Sequence, residues 1–479
     1  MAGKRLVIAK FGGSALGPDG VHIPRIVERI KELKRDADTK VVAVFSAPLT
    51  ANQDGTVRSL TDIVLEQGRN AESGAEYSLD TVTDAYAALM RSNLRGATAE
   101  TADACGSIAE EGLARTREAL EEARTERRFE GEVRSRALAF SGEVLMSHIM
   151  KHILEHNGIR SDSVELDDWP IITDGNIESS NFLAEESRKR LGPMEAMLEA
   201  NDAVSIGGFI GRTTDGTITT YERGGTDRTA ADVAILFHKE YDASIDFEKD
   251  SSVVSADPKI VKDDLSEVPQ LSYNEARLAG MFGMKILDPI AIKEIVENGA
   301  DVPIIITNLS RPEKTTTITR ALDPDGSSSP IKMVTGKSNC AIFRIEKAAM
   351  ERLLTSLEND KRYSEFVILS PYTKDGTEFG RMLFLDADYI RRNEKYFMAF
   401  DSLATITYNR GVVTLIGDEM WRAQQVASRA SACVGSAGLN ILNMDAQEET
   451  SRIIIVIEDA ADNVARAIAS IHGEIVAAG

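Results

Sequence analysis

The 479-residue sequence lacks several features that would place it in a special class of protein. No apolar run approaches the roughly 20 residues of a membrane-spanning helix, and no signal-peptide pattern opens the chain. Its three cysteines, Cys105, Cys340 and Cys433, are far apart and form no Cys-x-x-Cys pair, which argues against a disulfide framework and against a zinc site. We therefore expect a cytoplasmic protein.

Positive charge is also scarce, because 55 lysines and arginines face 76 aspartates and glutamates, for a formal net charge of −21. Such a chain repels nucleic acid and anionic membranes, and neither is expected as a partner. It repels an anionic substrate as well, so a site for one needs local cations, for which Lys10, Arg223 and Lys285 are candidates. The length predicts two to four domains.

The stretch Lys10-Phe11-Gly12-Gly13-Ser14 follows an apolar run that predicts a buried strand. Two glycines allow a tight turn in which backbone N–H groups approach a ligand, and the lysine adds a positive charge. This combination suits a polyphosphate. A Gly-Gly turn alone is more often structural, so the motif gains its meaning from the rest of the chain.

From residue 4 to about 310, apolar strands alternate with helical patterns, which predicts an α/β domain with a mainly parallel sheet. Residues 51–58 are predicted to form a polar loop, and 323–329 (DPDGSSS) a linker. Beyond the linker, a β-α-β-β-α pattern occurs over 337–400 and again over 412–471, which predicts two ferredoxin-like modules. They suggest a ligand-controlled enzyme; the alternative is that they only mediate oligomerisation.

Two further clusters fall at predicted helix starts. Ser141-Gly142-Glu143 opens a long helix, where Glu143 either only stabilises the helix terminus or receives a substrate ammonium. Gly207-Gly208-Phe209-Ile210-Gly211 follows a strand and precedes a helix predicted to begin near Thr226 or Asp227, with one of these as the N-cap. Arg223, on the glycine turn before that helix, can present a planar fork to a carboxylate.

Two remaining patterns have weaker local meaning. Lys285 lies in Phe282-Gly283-Met284-Lys285-Ile286-Leu287-Asp288-Pro289 and is either a phosphate contact or a solvated surface lysine. His148, His152 and His156 recur every four residues and share one helix face. Metal binding is one interpretation of the histidines, but a packing or surface face is favoured.

Taken in order, these clusters resemble those of the aspartate kinases, in the amino-acid kinase superfamily. The matching segments are KFGGS at 10–14, SGE at 141–143, GGFIG at 207–211, RGGTD at 223–227, ADP at 256–258 and FGMKILDP at 282–289. The resemblance implies an α/β fold with a mainly parallel, three-layer αβα catalytic domain over 1–325. It also implies two ACT regulatory modules over 330–405 and 406–479, either in this linear order or interleaved.

The resemblance further implies MgATP-dependent phosphorylation of the β-carboxylate of L-aspartate to 4-phospho-L-aspartate, the first step towards lysine, threonine and methionine. It implies feedback control by lysine or threonine at the ACT modules and a homodimer or higher homo-oligomer formed through them. Mg²⁺ is expected to arrive with ATP rather than in a protein metal site. The alternatives are another acid kinase of the superfamily and a non-catalytic amino-acid sensor.

The resemblance implies roles for individual residues. Lys10 would stabilise charge on the transferred group and Asp227 would orient the site, while Arg223 and Glu143 would hold the α-carboxylate and the α-ammonium of aspartate. The other implied substrate-side residues are Ser46, Thr61, Gly225 and Thr226. The implied nucleotide-side residues, besides Lys10, are Gly12, Gly13, Ser14, Gly207, Gly208, Glu248, Lys249, Val254, Lys259 and Lys285.

The chain also departs from the family pattern. Glu222 stands where the family usually has glycine before the substrate arginine, and Asp288 replaces a histidine. In segment 247–254, Glu248 and Lys249 replace a Thr-Asp pair, which leaves the nucleotide preference open. Segment 445–451 (DAQEETS) differs from the usual effector loop, so the effector is open as well.

Overall fold

The computed structural model describes residues 4–52, 54–222, 224–249, 251–320, 330–359, 366–447 and 450–476. The chain divides into two compact units, Met1–Ser252 with Ile290–Arg320, and Val253–Pro289 with Ala321–Gly479. Segment 253–289 therefore groups with the C-terminal residues, although the sequence assigned it to the first domain. The boundaries at 1–325, 330–405 and 406–479 stay predictions, and the predicted linker at 323–329 lies outside the described residues.

The regular elements are numbered in chain order. The strands are β1 Arg5–Phe11, β2 Thr39–Phe45, β3 Leu49–Ala51, β4 Val57–Ser59, β5 Ser161–Ser163, β6 Ala203–Gly207, β7 Ile210–Arg212, β8 Ile218–Thr220, β9 Asp242–Lys249, β10 Gln270–Ser272, β11 Ile304–Asn308, β12 Arg311–Thr319, β13 Met333–Glu346, β14 Phe366–Lys374, β15 Thr377–Phe384, β16 Thr405–Ile416, β17 Asn443–Ala446 and β18 Arg452–Glu458. The helices are α1 Gly13–Leu16, α2 Ile23–Leu33, α3 Leu60–Ser73, α4 Asp80–Asn93, α5 Ala99–Glu126, α6 Gly131–Ser141, α7 Glu143–His156, α8 Ala184–Arg188, α9 Gly192–Ala200, α10 Gly225–Phe237, α11 Tyr273–Met281, α12 Pro289–Glu297, α13 Lys347–Asn359, α14 Ala387–Arg392, α15 Glu394–Met398, α16 Val426–Ser436 and α17 Asn463–Ile471.

The first unit is built on a sheet with the strand order β12-β11-β9-β1-β2-β6-β5. Neighbouring strands from β11 to β5 run parallel, and β12 is antiparallel to β11. The central strands are apolar on both faces, which is typical of a parallel sheet covered by helices on each side. The predicted three-layer α/β domain is confirmed.

The two faces of this sheet pack against different helices. Phe11 and Phe45, on one face, belong to a core that also holds residues of α2, α3 and α7. Helix α10 packs against β1 and β9, and all of its residues are buried. Because β1, β2, β6 and β9 are parallel, their carboxyl ends meet at one edge of the sheet, where α/β proteins place their ligands.

Segment 51–58 differs from the sequence-based prediction. Strands β3 and β4 form an antiparallel hairpin in which Leu49 pairs with Ser59 and Ala51 with Val57, so the predicted polar loop is wrong at both of its ends. The pattern did not predict these strands because they are short and carry no alternation of apolar and polar residues.

The second unit contains an antiparallel sheet with the order β14-β15-β13-β16-β18-β17. Strands β13 and β16 are long and lie antiparallel along their length, from Met333 opposite Ile416 to Arg344 opposite Thr405. Strand β15 pairs with the second half of β13, and β18 pairs with the second half of β16. The two long strands therefore run through both halves of the sheet.

Two hydrophobic cores lie within the second unit. One packs α13 to α15 against β13 and β15, and the other packs α16 and α17 against β16 and β18. These are the two ferredoxin-like modules predicted from the sequence, and their presence is confirmed. Along the described chain, no helix is both long and apolar enough to cross a bilayer; the cytoplasmic location stays a prediction.

Candidate active site

The turn after β1 is closely packed on both sides. A Cβ atom added to Gly12 would lie 3.1 Å from Lys10 Nζ, and one added to Gly13 would lie 3.0 Å from Leu49 Cδ2 and 3.3 Å from Ala47 O. Ser14 follows in α1 and is exposed. Little room is left for a side chain at either glycine, and the predicted approach of this turn to a ligand stays a prediction.

Lys10, at the end of β1, meets the first turn of α10. Its Nζ lies 2.8 Å from Asp227 Oδ1, and the two side chains are only 13% and 10% exposed. Helix α10 begins at Gly225, and its N-cap is Gly224, which has φ 94° and ψ −4°. The prediction that Thr226 or Asp227 caps this helix is therefore wrong. Glycine occupies the cap because it adopts this left-handed conformation without strain.

Thr226 connects α10 to the ends of β2 and β6. Its hydroxyl lies 3.1 Å from the hydroxyl of Ser46, the residue that follows β2. A Cβ atom on Gly208 would lie 2.3 Å from Thr226 Cγ2, and one on Gly225 would lie 2.4 Å from Tyr221 Cβ. Gly208 and Gly225 thus let three chain segments converge where no larger residue fits.

Glu143 begins α7 and is only 4% exposed. Its carboxylate accepts hydrogen bonds from the backbone N–H groups of Glu143 itself and of Ala47, but burial outweighs them and raises its pKa to about 7. Within the described residues, Glu143 Oε2 has no hydrogen-bond partner. A buried carboxylate with an unpaired oxygen is costly, so this atom points to a donor that a ligand supplies.

Two neighbours fix the position of Glu143. A Cβ atom on Gly207, at the end of β6, would lie 2.7 Å from the carbonyl carbon and oxygen of Glu143. The hydroxyl of Tyr86, which is fully buried, donates towards Ser141 O at 3.0 Å and Gly142 O at 3.1 Å. Helix α7 therefore begins directly against the end of the sheet.

These contacts join Lys10, Asp227, Ser46 and Glu143 around the carboxyl ends of β1, β2 and β6. The connection runs from Lys10 to Asp227, from the adjacent Thr226 to Ser46, and from the adjacent Ala47 to Glu143. These residues are spread over more than 200 positions of the sequence, and the fold brings them together. The result is one polar site with an ammonium, two carboxylates and two hydroxyl groups.

The predicted substrate residues Thr61 and Arg223 are not linked to this polar site by a described side-chain contact. Thr61 lies in the first turn of α3, where its N–H donates to Ser59 Oγ at 3.2 Å. The preceding residue, Leu60, donates its N–H to Pro48 O at 3.1 Å, which places this turn beside the segment that follows Ser46. Arg223 lies outside the described residues, and its role stays a prediction.

Glu248 belongs to a buried ion cluster on β9. Its carboxylate pairs with Arg29 of α2, which also lies 2.6 Å from Asp246 Oδ2. Burial, reinforced by Asp246, raises the pKa of Glu248 to about 8. Arg29 and Asp246 were missed from the sequence because no local pattern joins α2 to β9. Lys249 ends β9, and its nucleotide role, like that of Glu248, stays a prediction.

The other predicted nucleotide residues lie in the second unit. Val254 forms an isolated bridge with Glu267, the backbone N–H of Lys259 donates to Asp257 Oδ1 at 2.8 Å, and the side chains of Lys259 and Lys285 are exposed. Their contact with a nucleotide stays a prediction.

The histidine face of α7 shows no metal site. His148 Nε2 lies 3.3 Å from Val164 O and 3.7 Å from Glu165, His152 lies 3.3 Å from Glu155, and His156 Nε2 lies 3.3 Å from Arg95 O. No group of three or more His, Cys, Asp or Glu side chains suited to a metal occurs in the part of the chain that the structure describes. The histidines make separate contacts on a helix face.

Comparison with known proteins agrees with this architecture. The family model described as the amino acid kinase family matches residues 5–308. An aspartokinase of Rickettsia felis is 26% identical over 214 residues, which cover 44% of this chain and 51% of the relative. Aspartokinase 1 of Bacillus subtilis is 27% identical over 179 residues, covering 37% and 42%. The chain thus spans about half the length of these curated relatives.

Solved structures match over nearly the whole chain. Escherichia coli aspartokinase III, in a complex with aspartate and ADP, has a TM-score of 0.76 at 15% identity and covers 98% of this chain and 100% of its own. The aspartate kinase of Clostridium acetobutylicum has a TM-score of 0.66 at 20% identity, with coverage of 98% and 100%. At these identities the likeness establishes the fold of both units.

Proposed function

The chain belongs to the amino acid kinase family, and we propose that within this family it acts as an aspartate kinase. It would transfer the γ-phosphoryl group of MgATP to the β-carboxylate of L-aspartate and form 4-phospho-L-aspartate. The similarity to named aspartokinases and the arrangement of the polar site both support this activity.

The unpaired oxygen of Glu143 carries the proposal. A substrate ammonium placed against Oε2 would supply the missing donor and would favour the ionised carboxylate. An acid whose amine is acylated has no such charge, so this observation favours a free amino acid over an acylated substrate. Arg223 would hold the α-carboxylate, which is bonded to the same carbon as the ammonium, because a guanidinium forks onto a carboxylate.

The pair of Lys10 and Asp227 supports the transfer itself. Phosphoryl transfer depends mainly on positioning and on charge stabilisation, and Lys10 is a cation held at the end of β1 by the Asp227 carboxylate. In the proposed complex, its ammonium neutralises charge on the transferred group, while backbone N–H groups of Gly12, Gly13 and Gly208 would donate to phosphate oxygens.

Mg²⁺ would enter as part of the nucleotide complex. In the proposed complex, phosphate oxygens chiefly hold the metal. The metal supplies charge neutralisation on the phosphates when it is bound. Ser14, Gly207, Glu248, Lys249, Val254, Lys259 and Lys285 are the remaining residues proposed to line the nucleotide.

The second unit would regulate the reaction. Its two ferredoxin-like modules support binding of an amino-acid effector, lysine or threonine, and assembly into a homo-oligomer. A structure of E. coli aspartokinase III with lysine and aspartate shares this fold, with a TM-score of 0.66. Titration of the activity with each amino acid, combined with light scattering, tests both parts.

Trapping of the acyl phosphate tests the activity directly. The full chain is incubated with MgATP, hydroxylamine and either L-aspartate or N-acetyl-L-aspartate, and the hydroxamate is measured. We expect product with aspartate alone. Product with the acetylated acid instead would identify a different acid kinase, and aspartate binding without any hydroxamate would identify a non-catalytic sensor.

A further inference from the structure

A buried polar cluster lies beside the first turn of α10, outside the proposed substrate site. Arg228 donates to Glu294 Oε1 at 2.6 Å and, from Nε, to Oε2 at 3.4 Å. The guanidinium carbon lies 4.0 Å from the ring centroid of Tyr221, and the Tyr221 hydroxyl donates to Asp232 Oδ2 at 2.5 Å. All four side chains are buried or nearly so.

The charges of this cluster compensate one another. Burial, reinforced by Glu294, raises the pKa of Asp232 well above its ordinary value, which favours the neutral form of this carboxyl. Arg228 and Glu294 then form one pair with no net charge. A buried ion pair often adds little stability compared with apolar packing. We therefore consider which side chains this pair holds in place.

The geometry fixes how α10 is turned about its axis. Arg228 and Asp232 are four residues apart and therefore lie on one face of the helix. That face is held by Glu294 of α12 and by Tyr221, whose Cβ closely approaches Gly225 at the start of the helix. Since successive helical residues point about 100° apart, fixing Arg228 also fixes the direction of its neighbour Asp227.

We propose that Arg228 and Glu294 are positioning residues, which hold α10 so that Asp227 meets Lys10 and Thr226 meets Ser46. This inference rests on the proposed kinase activity. Neither side chain contacts substrate; both act through the first turn of α10. The cation–ring contact with Tyr221 adds a second constraint on the Arg228 side chain.

Glu294→Gln tests the proposal, because it keeps the shape of the side chain and removes its charge. The matched control is Asp202→Asn, which removes a buried carboxylate that pairs with Lys34 and, at 2.8 Å, with the exposed Arg160, directly before the amino end of β6. We expect Glu294→Gln to lower kcat about 10- to 100-fold while KM for aspartate changes less than about threefold. Asp202→Asn should leave both within about twofold.

A double variant separates positioning from a general structural role. If Glu294 acts through Asp227, then in an Asp227→Asn background the change Glu294→Gln should alter the residual single-turnover rate less than about twofold. A full additional loss in that background would overturn the proposal, and so would an unchanged kcat in the single variant.

Hydrogen exchange makes the test independent of turnover. Amides in the first turn of α10, residues 226–229, should exchange faster in Glu294→Gln than in wild type and in Asp202→Asn. Unchanged protection of this turn would contradict the proposal even if the wild-type chain forms no acyl phosphate. If the wild type is inactive but the exchange of this turn changes as expected, only the kinase assignment is contradicted.

Discussion

Replacing Glu143 by glutamine should make the first unit more stable at alkaline pH while removing aspartate binding. Burial raises the pKa of Glu143 to about 7, from 4.5. The unfolded chain therefore loses this proton near pH 4.5 and the folded chain only near pH 7. The folded state binds more protons over this range, so its stability falls as pH rises from 4.5 to 7. The penalty is fully present above pH 7.

The magnitude follows from the size of the shift. A difference of 2.5 units from 4.5 to about 7 corresponds to about 3 kcal/mol of lost stability above pH 7. Glutamine cannot ionise and avoids this loss, although its amide places a donor where Oε2 has no partner, at a cost of about 1 kcal/mol that does not depend on pH. The stability of Glu143→Gln relative to wild type should therefore rise by about 2 to 3 kcal/mol between pH 5 and pH 8.

The two tryptophans of the chain make this measurable. Trp169 is buried in the first unit, whereas Trp421 is 46% exposed in the second. In a Trp421→Phe background, fluorescence during urea unfolding reports the first unit at each pH. Saturating aspartate should stabilise the parent chain and have no effect on the glutamine variant. A stability difference that is constant with pH, or stabilisation by aspartate that survives in the variant, would refute the reasoning.

Three further changes address other parts of the site. Lys10→Ala should lower kcat by at least about 100-fold, because it removes the cation that stabilises charge on the transferred group; an unchanged kcat would exclude this role. Gly207→Ala should destabilise the first unit by about 1–3 kcal/mol in the same urea assay, since the added Cβ would lie 2.7 Å from the Glu143 carbonyl. The control Gly175→Ala should be nearly neutral, because a Cβ there meets no atom within 4 Å. The pKa of Glu248 is about 8 in the folded state against an ordinary 4.5, so its contribution to stability is lost as the pH rises between these values. Glu248→Gln should therefore flatten the decline of the urea unfolding midpoint from pH 6 to pH 9. An equally steep decline would contradict the buried-cluster account.

Much of the fold could be predicted because the hydrophobic periodicity of each strand and helix is a local property of the sequence. The apolar run before Lys10 predicted β1, and the periodicity after Glu143 predicted α7, which ends at His156. The modules of the second unit followed from the short spacing of strands and helices beyond residue 330. In each case the hydrophobic period determines the element, and it can be read without knowing what packs against it.

The features that could not be predicted depend on contacts between distant segments and on backbone conformation. The hydrogen bonds from Tyr86 to the turn before Glu143 span 55 and 56 residues, and Arg29 meets Glu248 across 219. The N-cap at Gly224 was missed because the polar residues after it also suit a cap, and only the backbone angle distinguishes them. The hairpin of β3 and β4 was missed because its strands carry no alternation of apolar and polar residues.

The central claim is that the buried carboxylate of Glu143 receives the ammonium of a small amino acid beside the Lys10–Asp227 pair. Calorimetric titration of aspartate at pH 7 in buffers of different ionisation enthalpy tests it most directly. Ionisation of Glu143 on binding predicts release of about half a proton per aspartate, from a pKa of about 7 in the free chain. Binding with no proton release, or equally tight binding of N-acetyl-aspartate, would contradict the account.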